Sequence, residues 1–187
     1  MQDPARILVP IADGFEELEA VAIIDILRRA ELDVTVAGLS EMPVGRSCIT
    51  LRPDTTLDAL DLDGFTMIVL PGGLDGTEAL MADERILGLI RRLHGEGRPT
   101  AAICAAPMVL EKAGVIGGVE VTAHPSVHGS LGSAQVQPTA RVVRSGSILT
   151  SQGPGTAIEF ALALVEDLCG REVADRHARA MCVAGAS

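Results

Sequence analysis

Short runs of branched apolar residues alternate along the chain with longer stretches whose apolar positions recur every three or four residues. The runs are RILVPI from Arg6, DVTVAG from Asp33, TMIVL from Thr66 and TAAI from Thr100. Helical spacing fills the intervals, so a helix is expected from about Glu17 to Ala30, another from about Asp83 to Leu93, and a third after Pro107. This alternation is the signature of an α/β fold: a mostly parallel sheet sandwiched by helices. In such sheets ligands bind beyond the carboxyl ends of the strands, which makes residues 13–19, 71–73 and 104–106 the segments expected to converge.

After residue 119 the pattern changes to VEVTAHP, then a Gly/Ser-rich stretch around 129–134, then ARVVRSGSILTSQ, where Ser145-Gly146 reads as a tight hairpin turn. GTAIEFALALVEDLCG is an amphipathic helix with Thr156 near its start and Gly170 as its stop. No disordered linker or internal repeat interrupts the pattern, so residues 1–187 read as a single domain.

Composition narrows the function. A net charge of −10, with no basic run longer than the pairs Arg28-Arg29 and Arg91-Arg92, argues against a nucleic-acid partner. The amino terminus is acidic where a leader would be basic, and no apolar run approaches a membrane span, so a soluble, cytoplasmic protein with no membrane partner is expected. The four cysteines lack CxxC pairing and read as free thiols.

One cysteine stands out. TAAICAAPMVL puts Cys104 between a strand and a helix start, with Ala102 and Ala106 small enough for the close packing of a nucleophile elbow. A buried free cysteine can equally be a small hydrophobe. If the elbow forms, the helix terminus is expected to lower the thiol pKa. Glu19 shares an apolar stripe with Ala22, Ile23 and Ile26, while Glu16 and Glu17 fit the ordinary role of acids at a helix start. Desolvation would keep Glu19 protonated and able to act as a general acid/base. Gly72-Gly73 at a strand end is either a tight turn or half of an oxyanion hole.

Other candidates carry less. His124 and His128 are four apart, but Pro125 breaks the helical face that a two-histidine metal site would want, so no metal is expected. His94 and His177 lie in charged helical stretches and read as surface residues. SQGPGT lacks the lysine of a phosphate loop and reads as a rigid turn into the last helix, its backbone near the pocket. Cys169, at a helix end, reads as inert; Cys48, in a loop, is a second candidate for oxidation.

The segments ILVPIADGFEELEAVAIIDILRRAELDVTVAGL, VLPGG, AAICAAP, VTAHP and LTSQGPGTAIEFALALVE together resemble the ThiJ/PfpI superfamily, in the branch of the parkinsonism-associated protein deglycase and its bacterial relatives. The resemblance covers nearly the whole chain and implies a flavodoxin-like fold related to the class I glutamine amidotransferases. It implies that Cys104 is the reactive, oxidisable cysteine, that Glu19 is its protonated carboxyl partner, that Gly73 and Ala105 supply oxyanion-hole amides, and that His124 lies at the pocket. Gly72 and Arg46 are implied as substrate or anion contacts, Arg46 standing one residue from the branch's usual arginine. Ala106 stands where the family often has glycine.

The implied function is a cofactor-independent glyoxalase or deglycase acting on 2-oxoaldehydes such as methylglyoxal, or on their early adducts. The same thiol also suits a redox-sensing stress protein or chaperone. A cysteine peptidase or amidase is a further alternative, but the protease branch has histidine directly after the cysteine, where this chain has Ala105. A homodimer is expected from the resemblance and from the helix over residues 18–27, whose two apolar stripes exceed what one core face needs.

Overall fold

Strand β1 (Arg6–Ile11) is buried almost throughout, and β4 (Met67–Leu70), β5 (Thr100–Ile103) and β9 (Ile148–Ser151) are buried at every position. Such runs suit strands covered on both faces. Together with β2 (Asp33–Gly38), the two-residue β3 (Thr55–Thr56) and β8 (Val142–Ser145), they form a seven-stranded sheet in the order β3-β2-β1-β4-β5-β9-β8. Every pairing is parallel except β8 with β9, which closes the expected hairpin through Gly146 at φ +60°. The computed structural model describes residues 5–184. Met1–Pro4, on which the leader reading partly rests, lie outside the described residues.

Side chains alternate between two cores. Ile7, Val9, Ile11, Val69 and Ile103 face α1 (Glu17–Arg29), α5 (Ala157–Cys169) and α6 (Arg171–Ala180). Leu8, Ile68, Leu70 and Ala102 face α2 (Leu74–Ala82), α3 (Glu84–Gly95) and α4 (Pro107–Ala113). The sheet is thus sandwiched by helices as the periodicity predicts.

Three features depart from the sequence reading. Helix α2 follows directly from Gly72-Gly73, so the glycines open a helix as well as a turn. Helix α6 follows α5, so the SQGPGT turn leads into the penultimate helix. The VEVTAHP run contributes only β6 (Glu120–Val121), paired with β7 (Gln135–Val136) apart from the main sheet.

Candidate active site

The chain runs from β1 outward to β2 and β3, then crosses back to β4 on the other side of β1. That switch opens a crevice beyond the strand ends, and the three expected segments meet there. Glu16 N–H donates to Gly72 O at 2.9 Å, and Gly72 N–H donates to Glu19 Oε2 at 2.7 Å. A Cβ placed on Gly72 would lie 2.6 Å from Cys104 Cβ and 2.8 Å from Glu19 Oε2, so only glycine fits between these two groups. Gly73, at φ +92°, would place a Cβ 2.2 Å from Gly14 O.

Cys104 occupies the elbow. Its φ of +65° is left-handed and costly for a residue with a Cβ, which marks a position held by its surroundings. Cys104 N–H donates to Ser151 O at 3.0 Å, tying the turn to β9. Ala102 and Ala106 are fully buried, which admits the close approach of β5 and α4. The N–H groups of Gly73 and Ala105 act on the thiol, each favouring its charged form.

Glu19 has no exposed surface. Burial holds its carboxyl up at about 7, against an ordinary 4.5, with the Gly72 amide pulling the other way. Burial likewise pushes the Cys104 thiol up to about 12, and the Glu19 charge and hydrogen bond add to the rise, while the amides of Gly73 and Ala105 oppose it. This overturns the expectation of a lowered thiol pKa at the helix terminus: α4 is only seven residues long, and desolvation outweighs it and the amides together. A thiolate therefore depends on Glu19 carrying the proton, which removes the neighbouring charge. Glu19 Oε1 is buried without a hydrogen-bond partner, a condition that a carboxyl O–H donating toward sulfur would relieve.

Glu16 and Glu17 divide the first-turn role. Glu16 caps α1, accepting from Glu19 N–H at 2.8 Å. The Glu17 carboxylate instead accepts from Ser47 N–H at 2.6 Å and pins the loop carrying Arg46. That loop is also held by Arg46 N–H donating to Phe15 O at 2.9 Å. Arg46 reaches the cleft above Cys104, which encloses about 450 Å³ and is also lined by Gly73, Ala105 and His124.

Glu16 and Pro154 line this cleft from the two segments expected near it, whereas the sequence reading did not single out Leu74, Asp75 and Ser126, which line it as well. For Ser126 a signal existed: a polar residue two after His124, straight after a proline, fits a capped turn. Pro125–Ser130 is such a 3-10 turn, and His124 caps it. His128 Nε2 turns away to Ala123 O at 3.0 Å, so the two histidines do not share a ligand. Among the described residues, no group of three His, Cys, Asp or Glu side chains is placed to hold a metal ion. Cys48 is exposed at φ +64°, and burial raises the Cys169 thiol above its ordinary value. His94 is exposed as expected, whereas His177 is half-buried.

A model of the DJ-1/PfpI family matches residues 5–167. The chain belongs to this family. It is 41% identical over 180 residues to protein dj-1beta of Drosophila melanogaster, covering 95% of this chain and 96% of the fly protein. The crystal structure of Drosophila melanogaster DJ-1beta superposes with a TM-score of 0.93 at 40% identity, covering 97% of this chain and 99% of that one. The Arabidopsis thaliana DJ-1 homolog B is 44% identical over 171 residues, 89% of this chain, and the match spans only 39% of the plant protein's length. A Caenorhabditis elegans relative, named glutathione-independent glyoxalase DJR-1.2, is 35% identical over 187 residues, 98% of each chain. No described helix in the chain is long and apolar enough to cross a membrane.

Proposed function

We propose that this DJ-1/PfpI protein is a cofactor-independent, cysteine-dependent glyoxalase acting on small 2-oxoaldehydes such as methylglyoxal, with deglycation of their early adducts as the same chemistry on a larger substrate. The observation that carries the reading is the pairing of a buried, protonatable Glu19 with Cys104 across Gly72, with the Gly73 and Ala105 amides favouring the charged sulfur. The name carried by the nematode relative supports it.

In this mechanism the Cys104 thiolate attacks the aldehyde carbon, and the two amides hold the resulting oxyanion until Glu19 protonates it. The Glu19 carboxylate then removes the hydrogen on that carbon, and the electron pair moves onto the neighbouring carbonyl oxygen as an enediolate. Reprotonation at the second carbon gives a lactoyl thioester, which water hydrolyses to lactate and free thiol. One carbon is oxidised and its neighbour reduced, so the balance needs water alone. Glu19 has both protonation states within reach near neutral pH, which suits a shuttle.

We further propose a homodimer acting in the cytoplasm. Leu18 and Val21 on α1 are 67% and 50% exposed, and with Ile49 and Ile158 they form one apolar surface spanning α1 and α5. The free thiols suit a reducing compartment. A second reading, a redox sensor, draws on the same geometry: peroxide would carry Cys104 through sulfenate to sulfinate with loss of water, and the Glu19 O–H would bond the new oxygen.

The test is methylglyoxal consumption by the purified protein without glutathione, beside Cys104→Ser. Lactate from wild type alone supports the glyoxalase. Selective oxidation at Cys104 without turnover leaves the sensor.

A further inference from the structure

His124 Nδ1 is engaged twice by Ser126: the hydroxyl lies 2.7 Å away, and the Ser126 backbone N–H donates at 3.3 Å. A backbone N–H can only donate, so Nδ1 is an acceptor and carries no proton. The hydroxyl therefore donates as well. A ring with both bonds in place is neutral and holds its proton on Nε2. His124 Cδ2, the ring carbon bonded to Nε2, lies beside the same glycine as the thiol: a Cβ built on Gly153 would lie 3.5 Å from His124 Cδ2 and 3.9 Å from Cys104 Sγ, so ring and thiol converge there. His124 N–H also donates to Cys104 O at 2.9 Å, which ties the turn to the elbow.

We propose that Ser126 is a positioning residue that locks His124 in the Nε2–H tautomer, and that this N–H is the donor for the second oxygen of a 1,2-dicarbonyl substrate. The proposal rests on the glyoxalase reading and deepens it. The Gly73 and Ala105 amides serve the oxygen on the carbon attacked by sulfur. When the hydrogen leaves that carbon, negative charge moves to the neighbouring oxygen, which those amides do not hold. A neutral imidazole donating from Nε2 stabilises that charge without giving up its proton. In this arrangement His124 acts as a donor, and Glu19 remains the base. A mono-aldehyde has no second oxygen, so the device selects dicarbonyls over simple aldehydes.

Two measurements test it. In reduced protein carrying ¹⁵N-histidine, the His124 resonances should report a bare Nδ1 and a protonated Nε2. Ser126→Ala should move the tautomer ratio about 5-fold toward Nδ1–H, the worth of one neutral hydrogen bond. Ser126→Thr should restore it. A wild-type spectrum dominated by Nδ1–H, or a ratio unmoved in Ser126→Ala, overturns the lock. In kinetics, His124→Gln places an amide N–H near the site of Nε2 and should keep kcat on methylglyoxal within about tenfold, whereas His124→Ala should lose about 10²- to 10³-fold. Equal losses in the two variants overturn the donor role. Wild-type protein with no turnover overturns the glyoxalase reading and the donor role together, while the lock stands or falls on the spectrum alone.

Discussion

Glu19 Oε2 takes the Gly72 amide and Oε1 has no partner, so the carboxyl is held ready for a proton and the thiol beside it responds to where that proton sits. Its raised value has a consequence for stability. Between about 4.5 and about 7 the folded protein keeps a proton that the unfolded chain releases, so the contribution is fully present below 4.5 and lost as pH rises through 7. The loss is on the order of 3 kcal/mol. Urea unfolding should find Glu19→Gln gaining on wild type across this window; parallel curves would contradict the raised value. In turnover the same variant cannot shuttle a proton and should lose about 10²- to 10⁴-fold. Unchanged turnover would remove Glu19 from catalysis. Gly72→Ala tests the close approach: its Cβ forces Cys104 and Glu19 apart, and the variant should lose turnover and about 1–3 kcal/mol of stability. An active, equally stable Gly72→Ala would mean the two groups do not need their present spacing.

At the scale of elements, the sheet and the helices α1, α3 and α5 were legible because each buries leucine, isoleucine or phenylalanine on one stripe, as Ile86, Leu89, Ile90 and Leu93 do in α3. Helix α6 showed only as a charged helical stretch around His177, with no buried face to place it, because its buried positions are Ala174 and Ala178, too small to mark a stripe among charged neighbours. Helix α2 was hidden by Gly76, which is there because a Cβ would meet Phe15 N at 2.9 Å, a long-range contact that no local pattern announces. The site divides in the same way. Cys104 and the paired glycines sit at strand ends and could be named from order alone, whereas the Glu19–Gly72 bond joins residues 53 apart and depends on the β1–β4 crossover. Glu17 illustrates the limit: a helix-start acid by sequence, it serves the loop at residues 45–49. Glu17→Ala should speed amide hydrogen exchange at Ser47 and Ile49 while leaving β1 protected. Unchanged exchange at both amides would show that the loop is held by other contacts.

Across the whole molecule, one sheet carries a polar cleft at its strand ends and an apolar surface on α1 and α5, with Glu16 and Pro154 lining both. The proposed dimer would cover the apolar surface and leave the cleft open to substrate. Sedimentation should give a dimer mass for wild type and a monomer for Leu18→Lys combined with Val21→Lys; a monomeric wild type contradicts the proposed interface. The central claim, that Cys104 holds the substrate while Glu19 moves a proton between adjacent carbons, is tested most directly by running the methylglyoxal reaction in D₂O without glutathione and reading the lactate by proton NMR. A shuttled proton exchanges with solvent on Glu19, so the expected lactate carries deuterium at its second carbon. Lactate that retains the original aldehyde hydrogen there and is formed just as fast by Glu19→Gln would mean a direct hydride shift, in which Glu19 moves no proton between the two carbons, and would contradict the mechanism.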